Sequence, residues 1–383
     1  MRFLFVLKDL GPHGVANTRI RYSRELARRG HEVTILALIK GETRTIPEGV
    51  RFEILDAETT HSLRTVFQQV RFAFRLRRWF KRETRTCPFD FVSSSMTPTD
   101  RVVARSGLVN VYHWIHIATT ELLGAVTDKR KRARRTRLLQ AVYRGKPVIG
   151  VSQGVIDDLS TFNAAPCRST LIYNGFDVER IRAMASELPA DLPQEPYYIH
   201  VGRFAGAKRH DMLFQALARS GSGRKLLLLT DKPQEASKLA QEFNVADRVI
   251  ALGFRDNPYA YMQAADGLIL CSDLEGFPNV LVESLIVGTP VLSTDCPYGP
   301  AEILTGPYSQ WLSPVGDCDA LASQIQNLET VPYAIEPWVY ERFSLSSSID
   351  TLERLAKSAD RPSLGRFRLR LKPCDTDDPG NKS

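Results

Sequence analysis

Long apolar runs are missing from this chain. The best candidate, V-T-I-L-A-L-I at 33–39, falls far short of the roughly 20 residues that a membrane-crossing helix needs. It reads instead as a buried strand. The N-terminus carries an early arginine but no cleavable export pattern, and R-F-L-F-V-L-K reads as the first core strand. Cysteine is sparse. Six residues, at 87, 167, 271, 296, 318 and 374, show neither a repeated metal-ligand spacing nor the density of a disulfide framework. A reducing cytoplasmic setting is therefore expected. No histidine–carboxylate metal pattern is present, so no bound metal is expected. There is no short-period repeat. The absence of G-x-G-x-x-G leaves a standard nicotinamide domain poorly supported.

What is present suffices for two domains. The 383 residues are 43% hydrophobic and 25% charged, enough for two sizeable cores. Charge is unevenly shared. Residues 1–190 hold 32 Lys and Arg against 18 Asp and Glu, a charge of +14, and the remainder carries −6. A uniformly basic nucleic-acid binder does not fit that division. No recognised RNA module accompanies the basic residues, and no nucleic-acid partner is expected.

Strand candidates at 2–7, 33–39, 89–95, 108–116, 147–152 and 168–175 alternate with helical stretches, the first at 16–29. This alternation favours a mostly parallel sheet covered on both faces. A Pro-, Ala- and acid-containing segment at 183–196 marks a boundary. The pattern restarts at 196–204, continues with a helix at 209–219, and adds strands at 225–230, 248–252 and 265–271. The expected organisation is a first domain over 1–190 and a second over 191–335. A C-terminal helix at 336–359 is expected to pack back toward the first domain, and 360–383 to form a flexible tail.

Two loops carry chemistry. C-S-D-L-E-G-F-P-N-V-L-V-E-S-L follows the strand at 265–271 and sets Glu275 eight residues before Glu283. Gly276 and Pro278 punctuate a turn, and 280–287 starts a helix. Loops after parallel strands are where such sheets place ligand chemistry. The two carboxylates there can accept hydrogen bonds from sugar or ribose hydroxyls. They also read as ordinary exposed glutamates, and a glycosidase-like acid pair stays open because spacing does not give their separation. G-R-F-A-G-A-K, after the strand at 196–204, presents Gly202, Arg203 and Lys208. An arginine fork and a lysine head suit phosphate oxygens, although a solvated basic loop reads the same way. Gly11 and Gly14 let backbone approach a phosphate at the first helix entrance, or make an ordinary turn.

Further text agrees in order and spacing. It runs G-P-H-G-V-A-N, G-H-E-V-T, V-S-Q-G-V-I-D-D-L, L-I-Y-N-G-F-D-V-E-R-I, V-G-R-F-A-G-A-K, G-F-R-D-N-P-Y, E-G-F-P-N-V-L-V-E-S-L and G-T-P-V. Over roughly residues 1–357 the chain thus resembles retaining glycosyltransferase family 4. D-C-P-Y-G-P-A-E-I-L further resembles bacterial members that build lipopolysaccharide, capsule or other surface glycans.

That resemblance implies an α/β chain of GT-B architecture, two Rossmann-like domains separated by a cleft. It implies a nucleotide-sugar donor held mainly by the second domain and no cofactor or metal. Arg203 and Lys208 map onto the family's diphosphate-binding pair. Glu275 maps near the donor-sugar hydroxyls, and Glu283 where ribose contact is expected. Gly202 and the backbone of Gly276, Phe277 and Asn279 border the donor, while Pro278 supplies no donor group. Gly14 matches the second glycine of the family's first-domain pair, and His13 replaces the first. T-D-K-P at 230–233 departs from the family's glycine-containing loop. His116 in H-W-I-H best matches a family histidine near the donor sugar. Its i, i+3 partner His113 falls on the opposite face of a regular strand. Arg203, Lys208, Glu275 and His116 are the expected catalytic residues.

The implied activity is transfer of a hexose or N-acetylhexosamine, from a UDP-sugar, to a lipid-linked glycan or lipopolysaccharide acceptor. A GDP-mannose-dependent mannosyltransferase and a non-catalytic glycan-binding homologue are the alternatives. An anionic membrane surface is a further candidate partner. In residues 63–85, Arg71, Arg75, Arg78, Arg82 and Arg85 recur beside Phe67, Val70 and Phe74, with Phe72, Trp79 and Phe80 broadening the apolar face. Such a helix rests on an anionic cytoplasmic membrane, or packs its stripe in a core and solvates its arginines. D-K-R-K-R-A-R-R-T-R at 128–137 is a second basic patch. The sequence says nothing of oligomeric state.

Overall fold

Short, almost wholly apolar strands dictate the architecture. R-F-L-F-V-L and E-V-T-I-L-A-L-I have apolar side chains on both faces, which only a covered parallel sheet can bury. The computed structural model describes residues 1–11, 14–41, 44–58, 63, 65–124 and 126–367. Its first sheet draws on β1 (Arg2–Leu7), β2 (Glu32–Ile39), β3 (Val50–Asp56) and β4 (Phe91–Ser95). After β5 (Leu108–Val109), which lies outside that sheet, come β6 (Tyr112–Ile115), β7 (Pro147–Gly150) and β8 (Arg168–Leu171). All pair in parallel, in the order β3-β2-β1-β4-β6-β7-β8.

The second sheet uses β9 (Tyr197–Val201), β10 (Lys225–Leu229), β11 (Val249–Leu252), β12 (Gly267–Leu270), β13 (Val291–Thr294) and β14 (Leu312–Ser313). Its order is β11-β10-β9-β12-β13-β14, again parallel. Both are Rossmann-type doubly wound sheets. Strand order reverses between β1 and β4 in one, and between β9 and β12 in the other. The crevice at such a reversal, past the carboxyl ends of the strands, is where this architecture binds ligands.

Contacts group Met1–Val151, Val155–Ile172 and Ile349–Ser383 into one unit, and Ser152–Gly154 with Tyr173–Ser348 into the other. The division falls earlier than residue 190 because the helix Val178–Ala185 packs on the helices Tyr259–Gln263 and Asn279–Ile286. The strand expected at 108–116 is two strands. Asn110, at φ 56°, breaks it, and β5 leaves the first sheet. β3 was not legible in the sequence. Its side chains are only partly buried, so V-R-F-E-I-L-D mixes charge with apolar residues as a sheet-edge strand does.

The first residues of the expected flexible tail are held. β15 (Ser363–Leu364) pairs antiparallel with β5, Arg361 binds Asp90 at 2.9 Å, and Arg77 donates to the Gly365 carbonyl at 2.8 Å. Residues 368–383 lie outside the described residues. Gly107 makes this docking possible. It ends the helix Thr97–Ser106 at φ 77°, and a Cβ there would collide with the Arg366 carbonyl. Gly107→Ala is expected to destabilise the chain by about 1–3 kcal/mol through backbone strain and that collision. Urea denaturation measures it, and an unchanged midpoint would show that the docked segment contributes nothing.

Candidate functional site

At the reversal of the second sheet two loops meet. One follows β9 and runs from Gly202 into a single 3-10 turn, Gly206–Lys208. The other follows β12 and reaches the helix Asn279–Ile286. Three links stitch them. The Asp273 amide donates to the Ala207 carbonyl at 2.8 Å, Arg209 reaches Asp273 at 3.0 Å, and the Lys208 ammonium pairs with the Glu275 carboxylate. Glu275 also accepts the Ser272 hydroxyl at 2.6 Å. Two residues that the sequence placed on separate loops thus form one ion pair.

Arg209 was missed in the sequence. It sits at φ 47°, an uncommon place for a side-chain-bearing residue. Its fork grips Asp211 while a third nitrogen holds Asp273. Its hydrogen bonds to Asp211, and then to Asp273, push its pKa further up, so it is a permanently charged clamp. Arg203, by contrast, is exposed and makes no ion pair with a described residue, which leaves its fork for an anion.

The 275–279 turn is fixed from several sides. The Glu275 amide donates to the Pro297 carbonyl and the Tyr298 amide to the Glu275 carbonyl, both at 2.7 Å. The Ser152 hydroxyl donates to the Gly276 carbonyl at 2.8 Å. Gly299 presses on the turn so closely that a Cβ would stand 2.9 Å from the Phe277 Cα. Phe277 is buried between Tyr173 and Phe343, ring centroids 5.6 and 5.8 Å away, so its side chain anchors the turn and only its backbone can face a ligand. Asn279 opens the following helix and its side-chain oxygen accepts from Asn174 at 2.9 Å. Glu283 stands half-buried one turn on, on the same helix face.

Beneath the first loop lie two neutral histidines. His200 is fully buried, and its Nδ1–H donates to the Ile269 carbonyl at 2.9 Å. Its Nε2 has no partner among the described residues and faces Gly202, where a Cβ would stand 3.2 Å away. His210 meets it edge-on at 4.9 Å. Burial, reinforced by the neighbouring His210 and Lys208, lowers the His200 pKa to about 3. Burial and Lys208 lower that of His210 to about 4.

The first unit holds the other expected residues. Gly14 is the exposed first residue of the helix Gly14–Arg28, and His13 lies outside the described residues. His116 follows β6 and its Nε2 stands 3.2 Å from Arg19 Nη2. It borders a cavity of about 270 Å³ that is also lined by Met96, Trp114, Leu139 and two arginines, Arg101 and Arg135. His113 points the other way, as the strand geometry requires. It is buried against Asp100 at 3.1 Å and Ser94 at 2.8 Å, while Tyr143 donates to Asp100 at 3.0 Å. That makes it a core residue.

The basic stretches are both helices. Val66–Glu83 is capped by a reciprocal Thr65–Gln68 box. Phe72, Trp79 and Phe80 belong to the core and do not broaden an outer face, whereas Phe67 is 78% and Phe74 59% exposed. Asp56 holds Arg75 and, at 3.5 Å, Arg71. Lys129–Tyr143 exposes all seven of its basic residues between 129 and 137. Among the described residues no helix is long and apolar enough to cross a membrane, and no group of three His, Cys, Asp or Glu is placed to hold a metal.

The family model for Glycosyltransferase Family 4 matches residues 12–180, and that for glycosyl transferases group 1 matches 188–337. Residues 12–180 thus belong with glycosyltransferase family 4, and residues 188–337 with the group 1 glycosyl transferases. It is 35% identical over 156 residues to a Campylobacter jejuni protein named N-acetylgalactosamine-N,N'-diacetylbacillosaminyl-diphospho-undecaprenol 4-alpha-N-acetylgalactosaminyltransferase, covering 40% of this chain and 42% of that one. It is 27% identical over 226 residues to the lipopolysaccharide 1,6-galactosyltransferase of Escherichia coli K12, covering 55% and 61%. The chain thus spans less than two thirds of either relative. The fold matches that of Anabaena HepE, solved with UDP and glucose, at a TM-score of 0.70 over 94% of this chain and 100% of that one, at 18% identity. The chain therefore has the GT-B fold class expected of it.

The buried histidines give the chain a pH signature. Above pH 6.5 they are neutral whether folded or unfolded. As pH falls from 6.5 toward about 4 and then 3, the unfolded chain takes up protons that the folded chain refuses, so stability is lost across that window. His200→Leu is expected to flatten the pH dependence of unfolding free energy there. An unchanged slope would mean that His200 charges freely in the fold.

Proposed function

We propose that this chain is a retaining glycosyltransferase that moves a hexose or N-acetylhexosamine from a UDP-sugar to a lipid-linked glycan or lipopolysaccharide acceptor. The observation that carries this reading is the second sheet's reversal point, where Lys208 is paired to Glu275 beside an exposed, unclaimed Arg203. A diphosphate entering there would draw the Lys208 ammonium and the Arg203 fork. Glu275 would then be released to accept hydrogen bonds from sugar hydroxyls. As the bond from C1 to the diphosphate oxygen breaks, negative charge grows on the phosphate, and fixed cations stabilise that growth more than the ground state. The acceptor oxygen bonds to C1 on the same face, and its proton passes to the departing phosphate oxygen. Glu275 positions the donor and Glu283 serves the ribose. The names of the Campylobacter and Escherichia relatives support the acceptor class, and the UDP complex of the Anabaena protein supports the donor.

A panel of UDP-galactose, UDP-N-acetylgalactosamine, UDP-glucose, UDP-N-acetylglucosamine and GDP-mannose against undecaprenyl-diphosphate-linked and lipopolysaccharide acceptors tests the reading. Transfer from a UDP-sugar is expected. Arg203→Ala and Lys208→Ala should each cost about 2–4 kcal/mol in kcat/KM. Near-normal efficiency in both, or folded protein that transfers nothing across the panel, refutes the proposal.

We also infer a peripheral place on an anionic cytoplasmic membrane for the acceptor-binding unit. Phe67 and Phe74 stand exposed beside Arg71, Arg75 and Arg78. Four cations open the Lys129–Tyr143 helix against the positive end of its own dipole, a local cost that an anionic partner offsets. Anionic vesicles should bind the chain at low salt and release it at high salt. Neutralising Arg71, Arg75, Arg78 and Arg82, or separately the basic residues from 129 to 137, should weaken binding while leaving donor affinity intact. Unchanged binding in both variants excludes the electrostatic contact.

A further inference from the structure

Arg19 is a fully buried charge of the first unit. It lies on the helix Gly14–Arg28 with none of its surface exposed. Its guanidinium carbon rests 3.4 Å from the Trp114 ring centroid, with Tyr22 and Phe5 at 5.3 and 5.5 Å. Among the described residues, two of its nitrogens, Nε and Nη1, have no hydrogen-bond partner and no carboxylate pairs with it. Burial lowers its pKa to about 9, which still leaves it charged near neutrality. A buried cation without a counter-ion destabilises a core. The aromatic faces offset part of that, and an apolar side chain would pack there without the penalty. Among the described residues, the one side-chain hydrogen bond of Arg19 is from Nη2 to Nε2 of His116, at 3.2 Å.

A guanidinium can only donate. The His116 Nε2 must therefore present its lone pair, and the ring proton must sit on Nδ1. The Trp114 ring, nearly parallel to that of His116 at 9° with centroids 6.2 Å apart, carries the guanidinium and sets the level of the imidazole. We propose that Arg19 is a positioning residue that locks His116 as a neutral imidazole with its proton on Nδ1. His116 then works as a hydrogen-bond donor toward substrate and does not take the acceptor's proton at Nε2. This rests on the reading of His116 as a substrate-facing residue. It deepens that reading by assigning the acceptor's proton to the leaving phosphate.

The test is a tautomer measurement on the full chain. With 15N-labelled histidine, long-range 1H–15N correlation separates the two neutral tautomers, and loss of one signal in His116→Asn assigns His116 among the seven histidines. The wild type should show the Nδ1–H form. Arg19→Met keeps the volume and removes the donor. It should shift His116 toward the Nε2–H form and lower kcat by about 10- to 100-fold, the range that follows loss of an orienting partner of a functional histidine. The donor KM should stay within about 2-fold, because a pure orienting role leaves ground-state binding alone. Arg19→Lys retains one donor. It should hold the tautomer and recover most of kcat, and it serves if the Met variant does not fold. A wild-type Nε2–H signal overturns the proposal, as does a changed tautomer with kcat intact. Absence of any sugar transfer would refute the functional reading and leave the tautomer result to decide this one.

Discussion

The second unit is organised around one constraint, the joining of the loops after β9 and β12 where strand order reverses. A parallel sheet leaves a crevice there, but an unbraced crevice would leave its loops free to move. This chain braces it with charge. Arg209 accepts an unfavourable backbone conformation and is held in it by Asp211 and Asp273. A backbone bond from Asp273 to Ala207 adds direction without charge. Lys208 and Glu275 then face each other as the one ion pair in this set whose partners are both proposed to meet the donor. The clamp and the working pair are thus different residues on the same two loops, so the working pair can open while the loops stay joined.

Neutral groups do comparable work below. His200 and His210 fill a core position that leucine could fill, yet bring imidazoles under a loop that carries Lys208 and Arg203. Kept uncharged by burial, they add no positive charge beneath those cations. Gly202 lies close over the His200 ring, so the start of the loop has a floor that a larger residue would lift. The first unit solves the opposite problem. Its buried Asp100 accepts hydrogen bonds on both oxygens, and its buried Arg19 is left with one acceptor among the described residues. The first is a satisfied core group. The second pays in stability for what it does to its neighbour.

Much of this was legible in the residues. β1 and the strands at 225–230 and 265–271 stood out because an apolar run of that length between turn residues has few other readings. The Glu275 turn stood out because Gly276 and Pro278 leave the chain little choice there. The Arg209 clamp was not legible, since no local propensity puts an arginine in the left-handed region and its partner Asp273 is 64 positions away. The helix at 66–83 shows a subtler failure. Its aromatics form two stripes, Phe72, Trp79 and Phe80 against Phe67 and Phe74. The arginines at 71, 75 and 78 flank the second stripe. That signal was present in the spacing and was read as one broad face.

The two exposed aromatics and the uneven charge belong to one argument. Phe67 and Phe74 keep most of their surface in solvent, although the Phe74 ring meets Phe367 edge-on at 6.3 Å, and such an exposed apolar pair is unfavourable for a chain that stays in bulk water. Seven exposed cations on the helix at 129–143 are likewise unfavourable in isolation, since four of them face the wrong end of its dipole. Both features lie in the basic half of the chain, the half with His116 and the apolar cavity beside it. The acidic half has Glu275 and Glu283. A negatively charged, partly apolar acceptor relieves both costs at once. A neutral soluble sugar relieves neither, and so the surface of the first unit favours the proposed lipid-borne acceptor independently of the loops after β9 and β12.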